Sequence, residues 1–200
     1  MSKFNIPICY GVKSDKNGSG VNHIVCNLAI HYFLASQSKL NNLVFLIKNM
    51  LGFVTGAGKK KTKGASDIIK HKSFTYTCFN GKKVFDILSN IKIGETWNVM
   101  QDNILKYSIK KLYKATTFGM GLKIGVYLPF SGGEYYEEYL VDIDHVNNTF
   151  INKGFNILKS DSFSQYMSNF EKDRKDLFAK LTQQDKEYID LLHYCVLTIL

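Results

Sequence analysis

The feature that most constrains this chain is a rhythm of short extended runs and helical runs. His23–Ile30 is apolar on both faces, as in a buried parallel strand. After it, Leu40, Leu43, Val44, Ile47 and Leu51 follow helical spacing. Ser36 or Ser38 is placed to cap that helix and Gly52 to stop it. Ser73–Phe79 then alternates, with Phe74, Tyr76 and Cys78 on one side, and Val84, Ile87 and Leu88 mark a short helix. Strand, helix, strand, helix predicts an α/β sheet.

The second half is less regular. Asn103–Tyr113 reads equally as strand or helix. Leu122–Leu128 alternates and Pro129 ends it. A further alternating unit starts at Tyr139. Asp144 is read as the cap of a helix carrying Val146, Phe150 and Ile151, stopped by Gly154. Phe155–Leu158 reads as a strand, Ser164–Leu181 as amphipathic, Thr182 as a helix cap and Tyr194–Leu200 as a last apolar strand. Residues 1–22 form an irregular lead-in, with a loop by composition at Lys13–Gly20. Thr55–Lys72 is a Gly/Lys loop.

Charge narrows the partners. Lys and Arg number 26 against 17 Asp and Glu, a formal charge of +9. A basic surface favours polyanions, nucleic acid first. The excess is uneven: Lys48 to Lys83 holds nine Lys and one acid, Asp67. Within it, Lys59, Lys60, Lys61 and Lys63 are candidates for RNA phosphate contacts, the other reading being a solvated loop. The four Cys show no paired spacing, which implies a reducing, cytoplasmic setting without a disulfide framework. The first residues lack a signal-peptide core, and no apolar run approaches the ~20 residues of a membrane helix.

Two motifs fail on inspection. GFVTGAGKKKT puts Phe53 where a phosphate loop needs its first Gly and Lys60 where it needs Ser or Thr. DIDHV (142–146) has two carboxylates and a His, but nothing elsewhere completes a metal ligand set.

CNLAIHYF (26–33) carries His31 and Tyr32 at the end of the first strand. They read as a packed strand end or as polar tips kept for a ligand. This stretch resembles the strand-end motif of mRNA cap (guanine-N7) methyltransferases. A second block, KIGVYLPFSGGEYYEEYLVDID (123–144), resembles the same enzymes, most of all the methyltransferase domain of capping enzymes of large cytoplasmic DNA viruses. TCFNGKK (77–83), Gly154-Phe155 and the closing strand fall in matching order. The resemblance covers about residues 23–200.

The resemblance implies a Rossmann-like class I methyltransferase sheet. It implies S-adenosylmethionine as methyl donor and the GpppN end of RNA as acceptor. Such enzymes open with a strand, a Gly-rich turn and a ribose-binding acid. This chain has no Gly-x-Gly after an N-terminal strand and no room for two strands before His23. The expectation is therefore the cap-binding part of the domain, lacking its first strands and little active alone. Its partner would be the missing N-terminal part or a capping-enzyme subunit. The alternatives are a non-catalytic methyltransferase-like stimulatory subunit and an RNA-binding module.

The site residues follow by the same resemblance. Glu138 matches the family's guanine-binding Glu, and the chemistry agrees, since one carboxylate can accept both the N1–H and the exocyclic amine of guanine. Glu137 would point the other way on a strand. His31 or Tyr32 can donate to guanine O6. Phe79 and Tyr194 match positions beside the cap, where either also reads as core. Asn27 and Leu28 match positions that touch the adenosine of the cofactor. Guanine N7 is nucleophilic without losing a proton, so no catalytic acid or base is expected, only placement.

Overall fold

The computed structural model of the protein describes residues 21, 23–51, 72–129 and 131–199. The expected loops at Lys13–Gly20 and 55–71, with Lys59, Lys60, Lys61 and Lys63, lie outside the described residues. The elements run β1 (His23–Asn27), α1 (Gln37–Met50), β2 (Lys72–Phe79), α2 (Gly81–Ile87), β3 (Thr96–Gln101), β4 (Ile104–Lys111), β5 (Lys123–Tyr127) and β6 (Tyr136–Tyr139). Then come α3 (Ile143–Ile151), β7 (Asn156–Ser162), α4 (Met167–Asp173), α5 (Lys175–Phe178), α6 (Gln183–Leu191) and β8 (Leu192–Ile199).

The strands form two sheets. The first has the order β1-β2-β8-β7, and the second is an antiparallel meander, β3-β4-β5-β6. In the first, β1 and β2 are parallel and joined through α1, while β8 runs antiparallel between β2 and β7. This is a Rossmann-like α/β arrangement in which the last strand enters from the opposite direction.

Alternation decides the packing. Phe74, Tyr76 and Cys78 of β2 are fully buried on the face that meets α1 and α3. Leu40, Leu43, Val44 and Ile47 of α1 close over that face. Ser36 caps α1 by accepting the Lys39 N–H. Cys26, Cys78 and Cys195 are buried in this core, and the Cys195 thiol donates to the Asn147 side-chain oxygen at 3.2 Å. A second core joins α2, through Val84 and Leu88, to Ile109, Ile124 and Val126 of the meander. Thr182 opens α6 with a capping box completed by Asp185.

Several expectations are corrected. The first strand stops at Asn27 and is buried on one face, through Ile24 and Cys26, with its other positions half-buried or exposed. Lys72 belongs to β2, not to the preceding loop. Of the two readings left open for 103–113, the strand holds over 104–111, where the chain pairs with β3 and β5 on either side. Asp142, not Asp144, caps α3, its carboxylate accepting the His145 N–H at 3.0 Å, and Asp144 stands in the first turn. The stretch 164–181 breaks into a 3-10 turn and two short helices. The second sheet as a unit, and β3 in particular, had no counterpart in the sequence reading.

One close approach ties the two sheets together. The Gly81 N–H donates to the Val141 carbonyl at 3.1 Å. A Cβ on Gly81 would lie 2.4 Å from that oxygen, so only glycine lets α2 start against the segment leaving β6.

Candidate functional site

After β1 the chain turns sharply. Leu28 adopts a left-handed φ of 47°, a strained conformation for a residue with a side chain. It is held there because its N–H donates both to the Thr77 carbonyl and to the Thr77 hydroxyl, each at 3.0 Å. A 3-10 turn, Ile30–Phe33, follows. Ile30 and Leu34 are fully buried and anchor it, which turns His31 inward and leaves Tyr32 39% exposed at the rim. The two rings touch, with centroids 4.1 Å apart.

Glu138 reaches His31 from the other sheet. It lies opposite Ile124 in the β5–β6 register, so its side chain shares the inward face of that strand. Glu137 points outward and pairs with Lys123 at 2.9 Å. His31 Nε2 and Glu138 Oε1 are 3.5 Å apart. The residues are only 4% and 9% exposed. Burial acts oppositely on acid and base: it pushes the Glu138 carboxyl up to about 8 and the His31 imidazole down to about 4. Burial thus favours the uncharged form of both.

Aromatic rings surround the pair. Tyr188 of α6 faces Glu138, and its phenol is pushed up by burial first and by that carboxyl second. Its ring meets Phe79 edge-on at 5.6 Å and Tyr107 at 5.2 Å. Phe79, at the end of β2, thereby joins the wall that runs from Glu138. The structure thus brings together His31, Tyr32, Glu138 and, through Tyr188, Phe79.

Tyr194, on β8, has partners of its own. Its hydroxyl bonds Tyr166 and Asp161, and its ring packs on Phe163. In the β2–β8 register Tyr194 is opposite Thr77, so it is on the face of Thr77 and Phe79, away from the α1–α3 core. Tyr188 was missed from sequence because a lone aromatic on a polar helix reads as packing. Asn27 and Leu28 stand at the carboxyl end of β1, both exposed. The hydroxyl of Thr77 lies 3.5 Å from the Asn27 side-chain oxygen. They offer an amide beside an apolar side chain, which suits one edge of an adenosine.

A separate polar cleft of about 770 Å³ lies between the starts of α2 and α3, lined among others by Lys82, Lys83, His145 and His193. Its lysines are already paired, Lys82 with Asp86 and Lys83 with Asp190. Among the described residues no cluster of three or more metal-binding side chains occurs, and no helix is long and apolar enough to cross a membrane.

The chain has relatives among viral proteins. The mRNA-capping enzymes of African swine fever virus, isolates Pig/Kenya/KEN-50/1950 and Tick/South Africa/Pretoriuskop Pr4/1996, are 29% identical to it over 184 residues. The chain resembles part of a viral mRNA-capping enzyme. The matched region is 89% of this chain and spans 19% of the length of those relatives. No family model matches. Among solved structures, an S-adenosylmethionine-dependent methyltransferase from Clostridium acetobutylicum superposes with a TM-score of 0.46 at 12% identity, covering 90% of this chain and 58% of that one. The CcbJ methyltransferase from Streptomyces caelestis gives 0.45 at 9% identity, covering 94% and 64%.

Proposed function

We propose that this chain holds the guanine of an RNA cap for methylation at N7, as part of an mRNA (guanine-N7) methyltransferase working with the rest of a capping enzyme in the cytoplasm. The observation that carries the reading is the buried Glu138 carboxyl beside His31, at the place where the 3-10 turn after β1 meets β6. A carboxylate so placed accepts the two adjacent N–H donors of guanine. Those donors give it the stabilisation that burial denies it. The Tyr32 hydroxyl, at the rim, donates to O6. Phe79 and Tyr188 offer ring edges and faces to a base that becomes cationic on methylation.

S-adenosylmethionine, when bound, supplies an electrophilic methyl group, and Asn27 and Leu28 would hold its adenosine end. The protein's own task is placement, because the N7 lone pair lies in the ring plane and carries no proton to remove. Orientation of that kind is worth several powers of ten in rate. Lys59, Lys60, Lys61 and Lys63 are assigned to RNA phosphates on their charge.

Glu138→Gln tests the reading. Gln keeps the shape but turns one acceptor into a donor facing a donor. A buried guanine N–H then loses its partner, at a cost of about 1–3 kcal/mol. Methyl transfer to GpppA-RNA by the complete capping enzyme should fall about tenfold or more. Glu137→Gln, on the outward side of β6, should be near neutral. Full activity in Glu138→Gln, or equal losses in the two variants, would remove Glu138 from the site.

A further inference from the structure

Guanine recognition by Glu138 leaves one question of chemistry. Burial pushes the carboxyl toward its protonated form in the empty site, yet it must be a bare acceptor when two N–H groups approach it. His31 Nε2 stands 3.5 Å from its Oε1. Among the described residues that nitrogen has no hydrogen-bond partner, although its side chain is 95% buried. A buried ring nitrogen left without a partner needs an explanation.

We propose that an entering guanine drives the carboxyl proton of Glu138 onto Nε2 of His31, so that the base is held by a carboxylate whose counter-ion is made inside the pocket. This rests on the guanine reading of the site. The Glu138 O–H bond breaks and its electron pair stays on the carboxylate. The Nε2 lone pair takes the proton and forms the new N–H bond. No proton enters from solvent or leaves to it.

Each partner favours the step. Two N–H donors stabilise the charged carboxylate, and a carboxylate 3.5 Å away stabilises the imidazolium. The other groups around the carboxyl do not compete for the proton. Tyr32 on the 3-10 turn, with Tyr136 of β6 beside it, and Tyr188 on α6 are phenols. Glu137 is turned outward to Lys123. Asp185 and Glu187 of α6 act on the Tyr107 phenol of β4, whose ring packs against Tyr188. The low basicity of empty-site His31 and the weak acidity of Glu138 agree, since both are neutral before the ligand arrives. His31 thus acts through Glu138 and is a positioning residue.

The test is calorimetric titration of the methylation-competent protein with GpppA between about pH 5.5 and about pH 7.5, in two buffers of different ionisation enthalpy. The wild-type affinity should change less than about twofold, with no net proton exchanged. In His31→Asn the proton must go to solvent, so affinity should rise about tenfold per pH unit and one proton should be released. Should that variant not fold, the wild-type ring serves: its nitrogen NMR signals should move from neutral imidazole to imidazolium when GpppA is added at about pH 7. A wild-type protein that releases a proton with the tenfold slope, or a His31 ring that stays neutral, overturns the proposal. If Glu138→Gln leaves GpppA affinity unchanged, or GpppA does not bind, the guanine reading falls with it. If that variant loses affinity while His31→Asn stays as flat as wild type, only the proton transfer is refuted.

Discussion

The buried pair makes a prediction about stability that needs no ligand. In the unfolded chain Glu138 titrates near 4.5 and His31 near 6.5; in the fold they sit near 8 and near 4. Between 4.5 and 6.5 the unfolded chain holds its proton on His31 and the folded chain holds one on Glu138. The counts are equal, so this pair gives stability no slope there. Between 6.5 and 8 the unfolded chain holds none and the fold still holds one. The fold binds more protons, so stability falls as pH rises. One pKa unit is about 1.4 kcal/mol, so the loss across this window is about 2 kcal/mol. Glu138→Gln mimics the protonated carboxyl and cannot ionise. Its stability advantage over wild type should therefore grow by about 2 kcal/mol between about pH 6.5 and about pH 8.5. Urea unfolding of both proteins at the two pH values measures this. The comparison cancels every other titrating group. Parallel wild-type and variant curves would mean that Glu138 is ionised in the folded protein, and the neutral-pair argument would fail.

Two more perturbations follow from geometry and charge. Gly81→Ala would place a Cβ 2.4 Å from the Val141 oxygen; because the obstacle is backbone, the denaturation midpoint should drop by the equivalent of about 1–3 kcal/mol or more, and an unchanged midpoint would show that the α2 start can shift freely. Replacing Lys59, Lys60, Lys61 and Lys63 by Ser should lower the slope of log affinity for capped single-stranded RNA against log salt by about 3 if all four meet phosphates, whereas an unchanged slope would make the segment solvated surface.

Local pattern carried the elements that bury one clean face. In β2 every second residue, Phe74, Tyr76 and Cys78, is fully buried, and α1 shows its four core positions at helical spacing after Ser36. The strand β3 was invisible because only Val99 among its six residues is buried. An edge strand of a half-solvated meander leaves little periodicity to read. The cap of α3 was displaced by two residues for a related reason. Asp142 and Asp144 flank one Ile, and either suits a first turn; which one caps depends on where β6 releases the chain, and Gly81 fixes that through Val141.

The site was legible in kind but not in arrangement. Strand parity alone separates Glu138 from Glu137, and the fold sets them on opposite faces of β6. Parity also puts Tyr194 on one face of β8, but it cannot say what covers that face; the cover is Phe163 and Tyr166. Tyr188 gains its place only when α6 is laid beside β4 and the end of β2, which lets one ring touch Tyr107 and Phe79. The weight of the His31–Glu138 pair is likewise absent from the linear chain. Either residue alone on a surface would titrate near its ordinary value. Burying both within 3.5 Å, one on the turn after β1 and one on β6, disfavours the charge of each and makes each the natural partner for the other's proton. On the reading proposed above, a ligand with two N–H donors is recognised by how it changes the state of the pair, as well as by its fit.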